Sequence, residues 1–465
     1  MLMIQLGKMR SSKSRFVSNL ILWMSVILVG ILFFFIIGEA GPVIEKDSGV
    51  FIEPVEIFTG YGYVIYPQFI RLCKSIFGAE KYLYVVFIVQ SSLACATSIV
   101  TTAYIRKKYI YSNLICFAVF IASFGPYLYT LPQYVASHGI LTEGLAFPLF
   151  NIWMLFALDF INEDKKIDYV LIILISIVMA LTRTQLMLMF IIDAAIILWK
   201  LLPCFIRKLK QKTGKAFCLY ITIGVIGLIV VGTICFMFLV KRNIIPQMTD
   251  AVSGRAICAI SEEDVRTHGD IEKVLFEKVL QFTDENQTRN EYFRRGIRRW
   301  EDIVTATNIN TKELHRIIRD CYPEADARMI NEIKGKLAFE LLTKHPGEYI
   351  EMTVSLLVQS LVVAIFFHPD QAYILGYIVA FILYVLAIIL CYIAKKMKVE
   401  KKYINVLLMT LGDIVLLCGI TNVLFIGLQR YVVYVFGWYY ISIIVVGWQV
   451  LMSYRRKICN GYDNR

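Results

Sequence analysis

Two charged residues stand where an apolar chain has least use for them. Arg183 lies at the centre of the hydrophobic run 168–202, and Glu143 follows Thr142 at the start of the apolar stretch ILTEGLAFPLFNIWMLFALDF. A lone charge inside such a run is costly in hydrocarbon, so the reading as a solvated surface group is closed to Arg183. Upstream, residues 39–78 form a polar stretch, EAGPVIEKDSGVFIEPVEIFTGYGYVIYPQFIRLCKSIFG, that carries Glu45, Asp47 and Tyr66. Downstream, Arg430 precedes the last apolar run. Carboxylates accept or position protons, and a guanidinium grips an anionic oxygen pair with two parallel hydrogen bonds. Read alone, Asp47 is a solvated loop acid, Glu45 is its neighbour, and Arg430 is a cation that snorkels to the membrane surface. The motifs of soluble enzymes are absent: there is no Walker loop, HExxH or GxSxG, and the five histidines, at 138, 268, 315, 345 and 368, are far apart.

The elements that must position these residues are membrane helices. With 58% hydrophobic and 18% charged residues among 465, and a mean hydropathy of +0.64, the chain has more apolar surface than a soluble core can bury. Its formal charge of +12 comes from cations in short segments beside apolar runs, which is the signature of membrane topology and not of nucleic-acid binding. Spans of about 20 residues are predicted at 17–38, 82–104, 109–129, 141–161, 216–240, 371–394, 404–427 and 431–453. The first, from Val17 to Ile37, is too long for a cleaved leader and is expected to stay as a signal anchor. The run 168–202 is too long for one span and is predicted to be two helices meeting at Arg183.

Placing the basic segments Lys8–Arg15, Arg106–Lys108, Lys165–Lys166 and Arg207–Lys215 in the cytoplasm puts residues 242–346 outside. The rival arrangement, with 242–346 inside, strands a basic loop on the wrong face. Parity is kept if 350–367, which carries Glu351 and Gln359 and ends in HPDQ, is a re-entrant or interfacial helix. The expectation is an all-α polytopic protein of the cell membrane, with about ten transmembrane helices and both termini cytoplasmic. It comprises an N-terminal membrane module, 1–241, with a first outer loop at 39–79; an extracytoplasmic helical cap, 242–346; and C-terminal membrane helices with a cytoplasmic tail, 347–465. Apolar residues three and four apart at 271–282, 291–304, 312–321 and 329–342 predict amphipathic helices lying on the outer membrane surface, and Ser261 with Asp264 marks a helix start. Arg294, Arg295, Arg298 and Arg299 read as a solvated face or a grip on anionic lipid or glycan. Asp193 and Asp413 lie inside predicted spans as structural hydrogen-bond partners or, in a transporter, relay groups. Of eleven cysteines, only Cys258 and Cys321 share the long polar loop and could pair there.

The order of the polar elements resembles the GT-C superfamily of polyprenyl-phosphate-sugar glycosyltransferases. Asp47 in KDSGVF, Tyr66-Pro67 and the short helix ending at Phe77-Gly78 resemble the family's first outer loop. Thr142-Glu143 resembles its Ser/Thr-Glu helix, Thr182-Arg183-Thr184 its Leu-Thr-Arg break, KHPGEYI at 344–350 its helix after the large outer loop, and Gln429-Arg430-Tyr431 its Arg-Tyr element. The likeness extends over about 39–434, although the acidic site reads Asp-Ser where the family has Asp-Glu, and the proline after Arg-Tyr is replaced by Tyr434 nearby.

The resemblance implies transfer of a sugar from a polyprenyl-phosphate donor to a lipid, glycan or protein acceptor on the outer face of the membrane. In that chemistry a carboxylate takes the acceptor's proton and cations stabilise the departing lipid phosphate. It implies Asp47 as the base with Glu45 as its understudy, and Arg183 and Arg430 on the donor phosphate. Glu143 and Tyr66 would position the acceptor, Glu143 alternatively a divalent metal, and Tyr61, Tyr63 and Tyr66 would line a sugar or prenyl groove. The competing expectations are a transporter or flippase of lipid-linked saccharide, marked by an inverted repeat and paired intramembrane charges, and a non-catalytic partner of surface-polymer assembly. No repeat is visible in the sequence.

Overall fold

The computed structural model describes residues 2–44, 48–52, 64–128, 130–131, 134–135, 139–163, 165–210, 244–267, 269–285, 300–365, 373–419, 421, 424 and 433–462. These residues form an all-α membrane protein, interrupted by one short antiparallel pairing of Thr130–Leu131 with Tyr134–Val135. Five of its helices carry stretches long and apolar enough to cross a bilayer: Val17–Phe35, Ile65–Lys108, Glu143–Asn162, Ile374–Lys396 and Phe436–Ile458. Shorter apolar helices cover Asn113–Tyr127 and Ile167–Thr182. The predicted span 216–240 lies outside the described residues. The chain divides into two compact units, one made of Met1–Phe236, Val385–Gly412 and Tyr434–Arg465, the other of Met237–Tyr384 and Asp413–Val433.

The first unit begins with α1 (Leu2–Ala40) and the single turn α2 (Gly49–Ile52). Next comes α3 (Ile65–Lys108), whose helical geometry fails at Gly78, with φ 77 and ψ 169. Only glycine adopts that backbone without strain, so the short helix and the span expected on either side of Phe77-Gly78 meet at a hinge there. Then follow α4 (Asn113–Leu128), α5 (Glu143–Asn162), α6 (Lys166–Thr182) and α7 (Met189–Lys210). Between α6 and α7 the chain leaves the helix at Arg183 (φ −151, ψ 120) and runs through the 3-10 turn Thr184–Leu188, so the long run does break at its arginine.

Lipid tails are as apolar as leucine, so helices in a bilayer hold together by close packing and polar contacts. Ser91, Ala94, Ser98, Thr101 and Thr102 form a buried small-residue face on α3. Across it runs a hydrogen-bonded chain in which Tyr127 Oη lies 3.1 Å from Thr97 Oγ1 and accepts from Asn151 Nδ2 at 3.0 Å. The Asn151 carbonyl accepts from Trp438 Nε1 at 2.9 Å, which ties in the last helix.

The second unit holds α8 (Ile244–Ala256), α9 (Glu262–Arg266), α10 (Asp270–Glu285), α11 (Trp300–Cys321), α12 (Ala327–Lys344) and α13 (Pro346–Ile365). The amphipathic faces of α8 to α12 close around Ile257, Phe276, Val279, Leu314, Ile318, Leu337 and Leu341. The expected helix start is present: Ser261 and Asp264 form a capping box on α9, with Asp264 Oδ2 accepting from Ser261 N and Oγ at 2.8 Å each. Asp264 also faces His345 Nε2 at 2.8 Å. Burial alone would raise this carboxyl, but the bonds from Ser261 and His345 outweigh it and hold Asp264 below the usual carboxylate range. Cys258 and Cys321 do not pair; both are free thiols, Cys258 buried against Asn310 Nδ2 at 3.1 Å. The remaining described helices are α14 (Tyr373–Lys396), α15 (Lys401–Asp413), which passes into a π turn at Ile414–Gly419, and α16 (Phe436–Tyr462).

Candidate functional site

Helices α5 and α6 form a hairpin, joined by residues 163–165, so the residue that starts α5 and the one that ends α6 meet at its open end. There Arg183 Nη1 lies 2.6 Å from Glu143 Oε1, with side chains 2% and 3% exposed. Arg183 Nη1 also donates to Thr142 Oγ1 at 3.3 Å, Arg183 Nε donates to Gln185 Oε1 at 3.1 Å, and the Thr142 hydroxyl donates to Glu143 Oε2 at 3.1 Å. A guanidinium offers five N–H groups, and opening the helix at Arg183 lets it reach partners on α5 and on the following turn together. The pair therefore sits in the interior as a neutral, hydrogen-bonded unit, the only form in which two charges persist at such burial.

The segment after α1 is fastened to this end of the hairpin at both of its described margins. On one side Val43 bridges Gly139, and Ile140 N donates to Val43 O at 3.0 Å, three residues before Glu143. On the other, Val64 N donates to Leu181 O at 3.0 Å, two residues before Arg183. Between them Ser48 is fully buried, and the Phe51 ring meets Tyr66 edge-on at 5.3 Å. Tyr66 donates its hydroxyl to Gln90 Oε1 at 3.1 Å, and Gln90 Nε2 donates to Gly139 O at 3.2 Å. Gly144 makes this possible: a Cβ there would stand 1.5 Å from Gln90 Nε2. Gln90 thus clamps the foot of α3, the bridge to the first loop and the first turn of α5.

Of the residues singled out from sequence, Tyr66, Glu143 and Arg183 are held in this one neighbourhood. Glu45 and Asp47, together with Tyr61, Tyr63, Arg430 and the cluster Arg294–Arg299, lie outside the described residues. Two participants went unread in the sequence, Gln90 and Gln185. Gln90 has a signal, an uncharged amide inside the predicted span 82–104; Gln185 has none beyond its closeness to Arg183. Glu143 is engaged by Arg183 and Thr142, and among the described residues no group of three or more His, Cys, Asp or Glu side chains is arranged to hold a metal ion. Elsewhere in this unit, Trp153 Nε1 donates to Asp193 Oδ1 at 3.0 Å, a structural use of that buried acid. In the second unit a cleft of about 510 Å³ between α10 and α11 is lined by charges that pair among themselves, Arg316 with Glu313 at 2.7 Å.

No protein-family model matches the chain, no curated protein matches it, and no solved structure matches it.

Proposed function

We infer that this protein is a membrane glycosyltransferase, which moves a sugar from a polyprenyl-phosphate carrier to a lipid, glycan or protein acceptor at the outer face of the membrane. The observation that supports this reading is the fastening of the first loop, on both sides of the Asp47 segment, to the residues just before Glu143 and Arg183. Three stretches singled out by their resemblance to one family, and spread over residues 39–184, meet at one end of one helical hairpin through their described residues.

On this reading the acceptor oxygen attacks the anomeric carbon and gives its proton to Asp47. The bond from that carbon to the phosphate oxygen breaks, and the lipid phosphate leaves with the electron pair, met by the positive charge of Arg430 and by that of Arg183 once its guanidinium turns from Glu143 towards the phosphate. Until then Glu143 and Thr142 keep the Arg183 guanidinium aligned. The test compares lipid-linked sugars and surface glycans from cells lacking the protein, complemented with wild type or with Asp47→Asn. The variant is expected to insert normally while the donor lipid accumulates and the modified glycan disappears. Wild-type glycans from that variant sink the assignment.

One observation favours a second reading. Paired intramembrane charges are one mark of a transporter of lipid-linked saccharide, and Glu143–Arg183 is such a pair. Flux of a labelled lipid-linked sugar across proteoliposomes without any acceptor supports that reading; acceptor-dependent transfer without flux supports the first.

A further inference from the structure

One aromatic side chain of the α8–α12 cluster is exposed to the degree that residues on the apolar spans are. Phe339, on α12, is 70% exposed, matching Phe35 at 67% and Phe381 at 70%, both of which lie on helices apolar enough to cross a bilayer. The other exposed apolar residues of this helical cluster, Val274, Ile309 and Met329, are each under half exposed, and of the three only Met329 is on the same helix as Phe339.

Phe339 also lies close to a helix with lipid-facing character. After His345, the chain turns into α13 at Pro346, where Ile350, Val354 and Val358 form an exposed β-branched stripe at four-residue spacing, preceded by Tyr349. From Phe339 to Pro346 is about 10 Å of helical rise, within reach of the headgroup layer that flanks the hydrocarbon. The exposed face of α12 runs through Arg328, Met329, Glu332, Lys336, Phe339 and Thr343. Met329 lies on the same face about 15 Å further along the helix, and Lys336 is placed to snorkel its amine to lipid phosphate while its stem covers apolar surface. The main apolar side of α12, through Ile330, Leu337 and Leu341, is buried in the bundle, so what it can offer an interface is this second face, where Phe339 and Met329 are interleaved with Arg328 and Lys336.

We propose that α12 is a membrane-surface anchor of this chain, with Phe339 and Met329 seated among lipid headgroups and upper acyl chains, and Lys336 on lipid phosphate. The His345–Asp264 bond at the bend between α12 and α13 fixes the angle at which the anchor is presented. This assignment is independent of the glycosyltransferase reading.

The experiment uses full-length protein in vesicles containing phosphatidylglycerol and a lipid with a photoactivatable diazirine near its headgroup, with adducts mapped by mass spectrometry after trypsin. Cleavage after Arg328, Lys334, Lys336 and Lys344 separates residues 329–334 from 337–344, so each apolar anchor has its own peptide. Adducts are expected on 337–344 as well as on the 374–396 span. Phe339→Glu should lose most labelling of 337–344 and keep that of 374–396. Labelling confined to 374–396 overturns the proposal, as does labelling of 337–344 that Phe339→Glu leaves unchanged. Cross-linking of Lys336 between two copies, with no lipid adduct on 337–344, assigns the face to a second copy and also overturns it.

Discussion

The α5–α6 hairpin carries an ionic cluster at each end, and the two are built on opposite principles. At the open end a single pair, Glu143 with Arg183, is almost fully buried, with Thr142 and Gln185 as its hydrogen-bond partners. At the turn, Lys108 bridges Asp159 and Glu163, each at 2.5 Å, Lys165 meets Glu163 at 2.5 Å, and the Lys200 amine caps the carbonyls of Phe160 and Glu163. Here the side chains keep between 17% and 54% of their exposure, and Lys108 and Glu163 each have two ionic partners. The turn is the expected end of a helical hairpin, with cations set against the carbonyl end of α5. The open end is not, because a buried pair is weak evidence for stability and a bilayer protein gains little by keeping one. That difference makes the open end, and not the turn, the place to look for chemistry.

Breaking the buried pair gives the largest expected effect. Glu143→Gln or Arg183→Met alone leaves an uncompensated charge in the interior and should cost about 3–5 kcal/mol. The double substitution should recover most of that loss, because it removes both charges together. Unfolding of detergent-solubilised protein, taken through the double-mutant cycle, measures the coupling. Additive losses would mean that the two charges are hydrated separately, and the contrast between the two ends would collapse.

The next effect sharpens the same contrast through packing. Gly144→Ala forces a methyl into Gln90, whose Nε2, Cδ and Cγ would all lie within 3 Å of it. Overpacking of this kind costs about 1–3 kcal/mol, and here it also breaks the bonds that Gln90 makes to Tyr66 and Gly139. Gln90→Ala in the same chain should relieve the clash without restoring the clamp. Limited proteolysis of the 41–64 segment reads the clamp separately from the clash: cleavage should rise in Gly144→Ala and stay high in the double variant even as its stability recovers.

Much of the helical framework was legible because apolar length and charge placement are one-dimensional signals. The break at Arg183 and the capping box at Ser261 each follow from a residue whose chemistry permits few alternatives, whereas the helix end at Gly78 was expected from the family resemblance alone. The pairing of Glu143 with Arg183 was not legible: sequence assigned the two to an acceptor and a phosphate, and only the antiparallel hairpin shows each answering the other. The Gln90 clamp was hidden for a related reason, since a glutamine's two bonds to partners 24 and 49 residues away leave no local pattern. The thiols of Cys258 and Cys321 went the other way. Sharing a loop made them candidates for a disulfide, but packing put Cys258 under α11 and Cys321 at that helix's far end.

The smallest effect belongs to the turn. Hydrogen bonds from Lys108 and then Lys165 hold Glu163 down to about 2. A carboxyl depressed in the folded state binds its proton more tightly when unfolded, at about 4.3. Its stabilisation is therefore complete above that value and fades as pH falls towards 2. Because Glu163 is more than a third exposed, solvent screening limits the contribution to at most about 1 kcal/mol. Glu163→Gln should accordingly lower the unfolding midpoint slightly at pH 7, have no effect near pH 2, and lose its cost at high salt. Measured in the same series, the cost of Glu143→Gln should persist at high salt, because counterions do not reach a pair that is 2–3% exposed. If both variants respond to salt alike, the open end is wet, and its claim to be the special end of the hairpin goes with the dry pair.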